Sequence, residues 1–396
     1  MSNIKTTKNK FKSIFLCFLI FSSIGLASEL WLSNSHSFFV LAGITETNED
    51  ENLKSYFFMP ERILSTRGDD RFTSVHSFYV NDTLKNLNNL IKNSLSNNYL
   101  LFDLNYAILR NRGVFLEYSF KVPGYIFSSY FGEINLDYIT GVFLLPSVQN
   151  SSSIDVYIFN SYDNIIKRIQ YSSSTNHAFL ESLINVNIEN SYYVSSYLMG
   201  FNLPSNNFLL RWQGDFNLPY LREQKTYGLM NVFEIVSVFF QNPAEVFSDY
   251  DGISYRFVSN TSVLTFGDVL SYTNHTRFFS EDVDVLTNFN RARNFLNSEN
   301  FKLILTSFTH SEGSSTFNFS KIVGGFKVYL DGPFATIVVD SGEVVYYTRK
   351  MPFYLSEEMA SITLDAIYFI DSVGSENNIS FGYKNGVPTW VVLGDN

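Results

Sequence analysis

Metal binding and acid–base catalysis need side chains gathered at defined offsets, and in this chain the candidates are dispersed. The five histidines, His36, His76, His177, His275 and His310, fall one to a segment. None has a ligating partner at helical spacing, so each reads as an isolated turn or surface histidine. Glu281, Asp282 and Asp284 gather at the expected start of a helix, where they favour the helix dipole; a calcium site is the alternative reading. Glycoside cleavage by paired carboxylates has candidates in Asp69, Asp70, Asp215, Asp249 and Asp251, all of which read more simply as turn residues. Arg67-Gly68-Asp69 spells an adhesion tripeptide inside what looks like an ordinary turn. No Gly-x-Ser-x-Gly elbow and no phosphate loop occur, and Gly324-Gly325 precedes a strand rather than a helix. The residues therefore lead to the expectation of no catalytic, cofactor-binding or metal-binding set.

The elements that must position any function begin with Lys5 to Leu32. Lys5, Lys8, Lys10 and Lys12 precede an apolar run from Ile14 to Ala27, which resumes as Leu30-Trp31-Leu32. Counted from Ser13 to Leu32, the run has the roughly 20 residues that a helix needs to cross a bilayer. The lysines keep residues 1–12 in the cytoplasm and place everything after Leu32 outside the cell. Gly25 and Ala27 are also spaced like a signal-peptidase site, so a cleaved leader is the competing reading. Apolar character continues past that point, which favours an uncleaved single-pass anchor over 13–32. Within it, Ser22, Ser23, Gly25 and Ala27 offer small residues for close approach of another membrane helix. Cys17, the sole cysteine, lies inside the run, so the exported part has no disulfide.

Formal net charge is −10, and the N-terminal lysines leave the exported part more acidic still. Nucleic acid, which requires a basic face, is excluded as a partner. Tyr, Phe, Ile, Val, Ser and Asn dominate and favour strands and turns. Leu84, Leu87, Leu90 and Ile91 set a helix over Val80 to Leu95, and a short helix is expected over His177 to Asn185. Strands are expected at GVFLEYSF, TGVFLLP and IDVYIFNS. A helix at Tyr227 to Gln241 precedes strands GISYRFVSN and SVLTFGDVLSYT. A helix at Asp282 to Leu296 precedes FKLILTSFTH, GGFKVYLDGP, FATIVVDS and EVVYYTRK. A late helix over Ser356 to Ile370 is followed by NISFGYKNG and VPTWVVL. The fold class is α+β with mainly antiparallel sheets. Three exported domains are expected, at 33–185, 186–275 and 276–396, the last two of related topology because each opens with a helix followed by antiparallel strands.

Several stretches form an ordered pattern: the anchor from Lys12 to Leu16 with LASELW at Leu26 to Trp31, FFMPERI at Phe57 to Ile63, and FFQNPAEVF at Phe239 to Phe247. YDGISYRFV, VLTFGDVLSYTN, YYTRK at Tyr346 to Lys350 and ISFGYKNGVPTWVV at Ile379 to Val392 follow. In this order they resemble the YycH family, membrane-anchored accessory proteins of the WalK/WalR (YycG/YycF) two-component system of Gram-positive bacteria. Asn187 to Gln224 departs from the pattern. The resemblance implies three exported domains and no enzyme. It implies partners in the membrane, a WalK/YycG-like sensor histidine kinase and a YycI-like sister protein, bound through the membrane helices so that the chain adjusts kinase output. The alternative is an anchored or secreted glycan-binding protein of the cell wall that uses surface aromatics.

Overall fold

The computed structural model describes residues 60–75, 80–161, 163–185, 191–196, 198–199, 208–223, 235–240, 246–250, 252, 254–276, 283–297, 303–363, 365–374 and 378–393. The stretch from Lys5 to Leu32 lies outside the described residues. No helix among them is long and apolar enough to cross a membrane.

The first sheet has nine strands: β1 (Arg62–Thr66), β2 (Phe72–Ser74), β3 (Tyr99–Asp103), β4 (Gly113–Pro123), β5 (Tyr138–Pro146), β6 (Ser153–Asn160), β7 (Ile165–Ser172), β8 (Ser191–Ser195) and β9 (Phe208–Trp212). Their spatial order is β3-β7-β6-β5-β4-β1-β2-β8-β9, with every pairing antiparallel. Side chains alternate across it. Val114 and Leu116 of β4 face the helices, while Phe115 between them joins Phe143 and Phe159 on the opposite face.

Three helices cover the first of those faces. In α1 (Val80–Ser94) the expected Leu84, Leu87, Leu90 and Ile91 are all fully buried. Helix α2 (Gly124–Phe131) was not foreseen, because GYIFSSYF is apolar on nearly every side. It exists through a close approach. A Cβ on Gly124 would lie 1.7 Å from the carbonyl oxygen of Leu136, so only glycine lets the chain turn there. Helix α3 (Ser174–Ile184) starts where the Ser173 hydroxyl accepts a hydrogen bond from the Asn176 backbone N–H at 3.2 Å.

Strand β10 (Phe216–Glu223) forms a two-stranded ribbon with β20, described below. The second sheet contains β11 (Phe247–Tyr250), β12 (Tyr255–Val258), β13 (Ser262–Phe266), β14 (Val269–Asn274), β15 (Leu303–Ser311), β16 (Ser314–Val323), β17 (Phe326–Tyr329), β18 (Ala335–Asp340) and β19 (Glu343–Lys350). It closes with β21 (Asn378–Lys384) and β22 (Val387–Leu393). Only β17 and β21 pair in parallel among the described strands. Helix α4 (Val285–Asn297) lies across β16, β18 and β19.

Two similar runs build eight of its eleven strands. The helical segment 235–239 precedes the meander β11 to β14, and α4 precedes β15, β16, β18 and β19. The runs meet at their last strands, where Tyr272 of β14 stands opposite Tyr347 of β19. Phe239 and Phe295, one from each helix, both touch both tyrosines, with centroids 5.1–6.2 Å apart. The seam therefore has local two-fold character. Strands on both sides of residues 185 and 275, the expected boundaries, share a sheet.

The late helix expected over Ser356 to Ile370 is corrected by the structure. Its first half is strand, β20 (Phe353–Ile362), paired with β10 from Phe216↔Ile362 to Glu223↔Phe353. Glu357, Glu358, Met359 and Ala360 are good helix formers, but pairing with a strand some 140 residues earlier overrides local preference. Helix α5 (Ala366–Val373) begins only after Asp365, whose carboxylate accepts from the Ile367 N–H at 3.0 Å.

Candidate functional site

The densest electrostatic arrangement lies where the first sheet meets the second. Strand β1 brings Arg62, with Glu61 just before it, and β4 places Glu117 directly opposite Arg62. Arg62 Nε donates to Glu117 Oε2 at 2.5 Å, and its Nη1 donates to the Phe208 carbonyl of β9 at 3.1 Å. The guanidinium also sits over the Tyr193 ring of β8, 5.4 Å from its centroid. From the second sheet, Lys327 Nζ of β17 reaches Glu61 Oε2 at 3.5 Å and lies 5.7 Å from the Tyr329 ring centroid. Four charges thus alternate in sign, Lys327, Glu61, Arg62, Glu117, across the junction. A Cβ on Gly382 of β21 would lie 2.6 Å from the Tyr329 ring, so this glycine lets the ring lie flat on its neighbour strand.

Burial sets the behaviour of the cluster. It pushes the Glu117 carboxyl up, against the pull of Arg62 and with the push of Glu61, to about 7. Burial also opposes the Glu61 charge, but Lys327 and Arg62 outweigh it and hold that carboxyl below its ordinary value. Arg62 stays cationic, since Glu117 and Glu61 together overcome its desolvation. Burial raises the Tyr193 hydroxyl to about 12. Glu61 offsets Lys327 and Arg62, and Glu117 adds its charge only as pH rises through about 7. The arrangement fastens two sheets in one relative position. A second fastening crosses nearby, where Arg211 of β9 pairs with Asp365, the cap of α5, at 3.2 Å.

A second polar group lies within the second sheet. Asn288 of α4 donates to the Gly313 carbonyl at 2.8 Å and to Ser315 Oγ at 3.0 Å, and accepts from the Gly342 N–H at 3.1 Å. One amide thereby ties the β15–β16 turn to the β18–β19 turn. His310 Nδ1 lies 2.8 Å from Ser315 Oγ. A serine and histidine at that distance resemble a nucleophile with its base, but Ser315 is only 1% exposed and its hydroxyl already serves Asn288. The contact reads as part of the turn clamp.

The residues singled out in the sequence do not converge. Asp69 Oδ1 accepts from the Arg71 N–H in an exposed turn, and Asp70 pairs loosely with Arg110 at 3.6 Å. Arg67 donates to the carbonyls of Ile184 and Asn185, which ties this tripeptide to the end of α3. Asp215 and His275 are exposed, and Asp249 bonds the N–H of Tyr250 beside it. Asp284 caps α4 through the Thr287 N–H at 2.8 Å. His177 is buried with Nε2 on the Ser147 carbonyl at 2.8 Å. Among the described residues no three His, Cys, Asp or Glu gather as a metal site would require. His36, His76, Asp251, Glu281, Asp282 and the anchor residues Ser22, Ser23, Gly25 and Ala27 lie outside the described residues. Sequence reasoning missed the junction because its members are far apart: Arg62 and Glu117 by 55 positions, Glu61 and Lys327 by 266.

No family model and no curated protein matches the sequence. Among solved structures, the crystal structure of YycH from Bacillus subtilis superposes with a TM-score of 0.55 at 11% identity, covering 85% of this chain and 94% of that one. The Bacillus megaterium YpeB C-terminal domain matches at TM-score 0.30 and 10% identity, over 43% of this chain and 86% of that one. An uncharacterized protein from Eubacterium rectale matches at 0.33 and 11%, over 46% and 76%. The chain has a YycH-like fold, and at this identity the likeness is one of fold.

Proposed function

We propose that this chain is an accessory protein that modulates a cell-wall-regulating sensor histidine kinase of the WalK/YycG type, without catalytic activity of its own. The observation that carries the reading is a YycH-like fold over most of both chains, reached from a sequence whose strand and turn motifs follow the same order. In this reading Lys5 to Leu32 holds the protein in the membrane with its N-terminus in the cytoplasm. Residues after Leu32 lie outside the cell. Ser22, Ser23, Gly25 and Ala27 form the face that meets the kinase and a YycI-like sister protein. Small residues support close helix approach in lipid, where association rests on packing.

The test is depletion of the protein while phosphorylation of the cognate response regulator is followed. No change in that phosphorylation removes the proposal. A finer test replaces Ser23 and Ala27 together with leucine, which preserves a hydrophobic span while filling the contact groove. Loss of about 1–2 kcal/mol of helix association is expected, seen as weaker co-purification of the kinase. Unchanged kinase binding moves the contact out of the membrane.

A second reading has one observation of its own. On the edge strand β11, Phe247 and Tyr250 are exposed, and Tyr250 stacks on Tyr255 with centroids 4.5 Å apart. Exposed stacked rings suit sugar faces, and co-sedimentation of the protein with peptidoglycan would favour glycan binding.

A further inference from the structure

Strand β3 is the outermost strand of the first sheet and, among the described strands, pairs on one side only, with β7. At the opposite end of the sheet, Phe208, Leu209 and Leu210 of β9 are buried in a core shared with α5 and β21. The β3 edge has no such cover among the described residues. Tyr99, Leu100, Leu101 and Phe102 stand 42%, 60%, 54% and 45% exposed, four large apolar residues in succession. Open edges are ordinarily blunted by a lysine, a proline or a bulge, because their free N–H and C=O groups recruit another strand. Residues 99 to 102 contain none of these, and the first charge, Asp103, comes at the strand's end.

We propose that β3 is a self-association edge, on which a second copy of this chain adds its own β3 antiparallel and makes one continuous sheet across a two-fold axis. The occupant follows from the strand's own sequence. A two-fold normal to the sheet keeps each face on its own side, so the axis passes through a residue pair and never between two residues. Centred on Leu101, the pairing sets Leu101 against itself and Leu100 against Phe102 of the second copy, twice over. Tyr99 then meets Asp103 of the second copy. Centring on Phe102 would set Leu101 against Asp103, and centring on Asp103 would oppose two like charges.

Charge favours the same register. Lys167 of β7 is buried and has no ion pair among the described residues. Its ammonium lies 3.3 Å from the Tyr99 ring centroid, so that ring is its lid at the sheet edge. Burial lowers the Lys167 amine to about 8, with Glu133 pulling the other way. The Leu101-centred pairing delivers a carboxylate, Asp103 of the second copy, beside that lid on the face that carries Lys167. Asp103 of the same copy already stands one pair along from Lys167 on this face, and the second copy's Asp103 adds a further acid beside it.

The experiment uses the full chain in detergent and measures its mass by sedimentation over a concentration series. Wild type is expected to be a dimer in equilibrium with monomer. Leu101→Lys sets two ammonium groups against each other at the axis and should weaken association at least about tenfold. Its circular dichroism and melting should match wild type, because the side chain faces solvent. With Cys17→Ser as background, Leu101→Cys should form a disulfide-linked dimer on mild oxidation. Leu100→Cys should not, since it faces Phe102 of the second copy. A wild type that stays monomeric at every concentration overturns the proposal. So does a dimer indifferent to Leu101→Lys, the result expected if the copies meet elsewhere. Cross-linking through Leu100→Cys as readily as through Leu101→Cys overturns it as well.

Discussion

Replacing Glu117 by glutamine tests the physical account of the junction. Glu117 is 6% exposed, and its carboxyl sits at about 7 in the folded protein against an ordinary value of 4.5. Between those two values the folded chain holds a proton that the unfolded chain has released. Stability from this group is therefore fully present below pH 4.5 and is lost as pH rises toward 7. At about 1.36 kcal/mol per pH unit, the loss over that window comes to roughly 3 kcal/mol. Glu61 acts in the opposite sense. Its lowered carboxyl contributes stability above its ordinary value that is lost as the solution becomes more acidic. Glutamine carries no proton to release, and in its presence Arg62 keeps its bond to the Phe208 carbonyl and its place near Glu61. The difference in unfolding free energy between wild type and Glu117→Gln should thus fall by between about 2 and 3 kcal/mol from pH 5 to pH 7. Urea titrations of both proteins at fixed ionic strength, followed by tryptophan fluorescence, read this difference. A difference that stays flat, or grows in favour of wild type as pH rises, would show that Arg62 holds Glu117 ionised and that burial does not govern the site.

Three further outcomes are expected elsewhere in the fold. Asn288→Ala strands two turns that share one buried amide, and a loss of about 2–4 kcal/mol should appear as a lower urea midpoint. Gly124→Ala drives a methyl into the Leu136 carbonyl, and a loss above about 2 kcal/mol or failure to accumulate is expected; wild-type stability would mean that α2 starts differently. Phe289→Ala removes a buried ring set edge-on to Tyr130 of α2 and against Phe317 of β16, at about 3–5 kcal/mol by thermal or chemical unfolding.

Elements whose cause is local were legible in the sequence. Leu84, Leu87, Leu90 and Ile91 point one way at helical spacing, and they bury together. The tight turns at Ser341-Gly342 and Asn385-Gly386 each hold two residues at positive φ, and glycine at the second position makes this possible. Elements whose cause is distant were not legible. Strand β3 has no apolar–polar alternation to read, since Tyr99 to Phe102 are apolar on both faces, and only its pairing with β7 shows it to be a strand. β20 is a strand only because β10 lies beside it. The junction follows the same rule. Glu61 and Arg62 look like any charged pair at the start of a strand until β4 and β17 bring Glu117 and Lys327 to them.

The seam between β14 and β19 bears on the order in which the chain acquires structure. In the first run every pairing joins neighbours in sequence, and in the second β15–β16 and β18–β19 do while β16 reaches β18 past β17, so most loops are short and close quickly. Tyr272 and Tyr347 must wait for the whole second meander before they can meet. During synthesis β11 to β14 emerge first, and β14 presents an open edge until β19 arrives. The aromatic group at the seam then forms only once β19 has arrived, and β21 and β22 join the far side of the sheet later still. The interval before the seam closes is when the chain most needs protection from pairing with a neighbour.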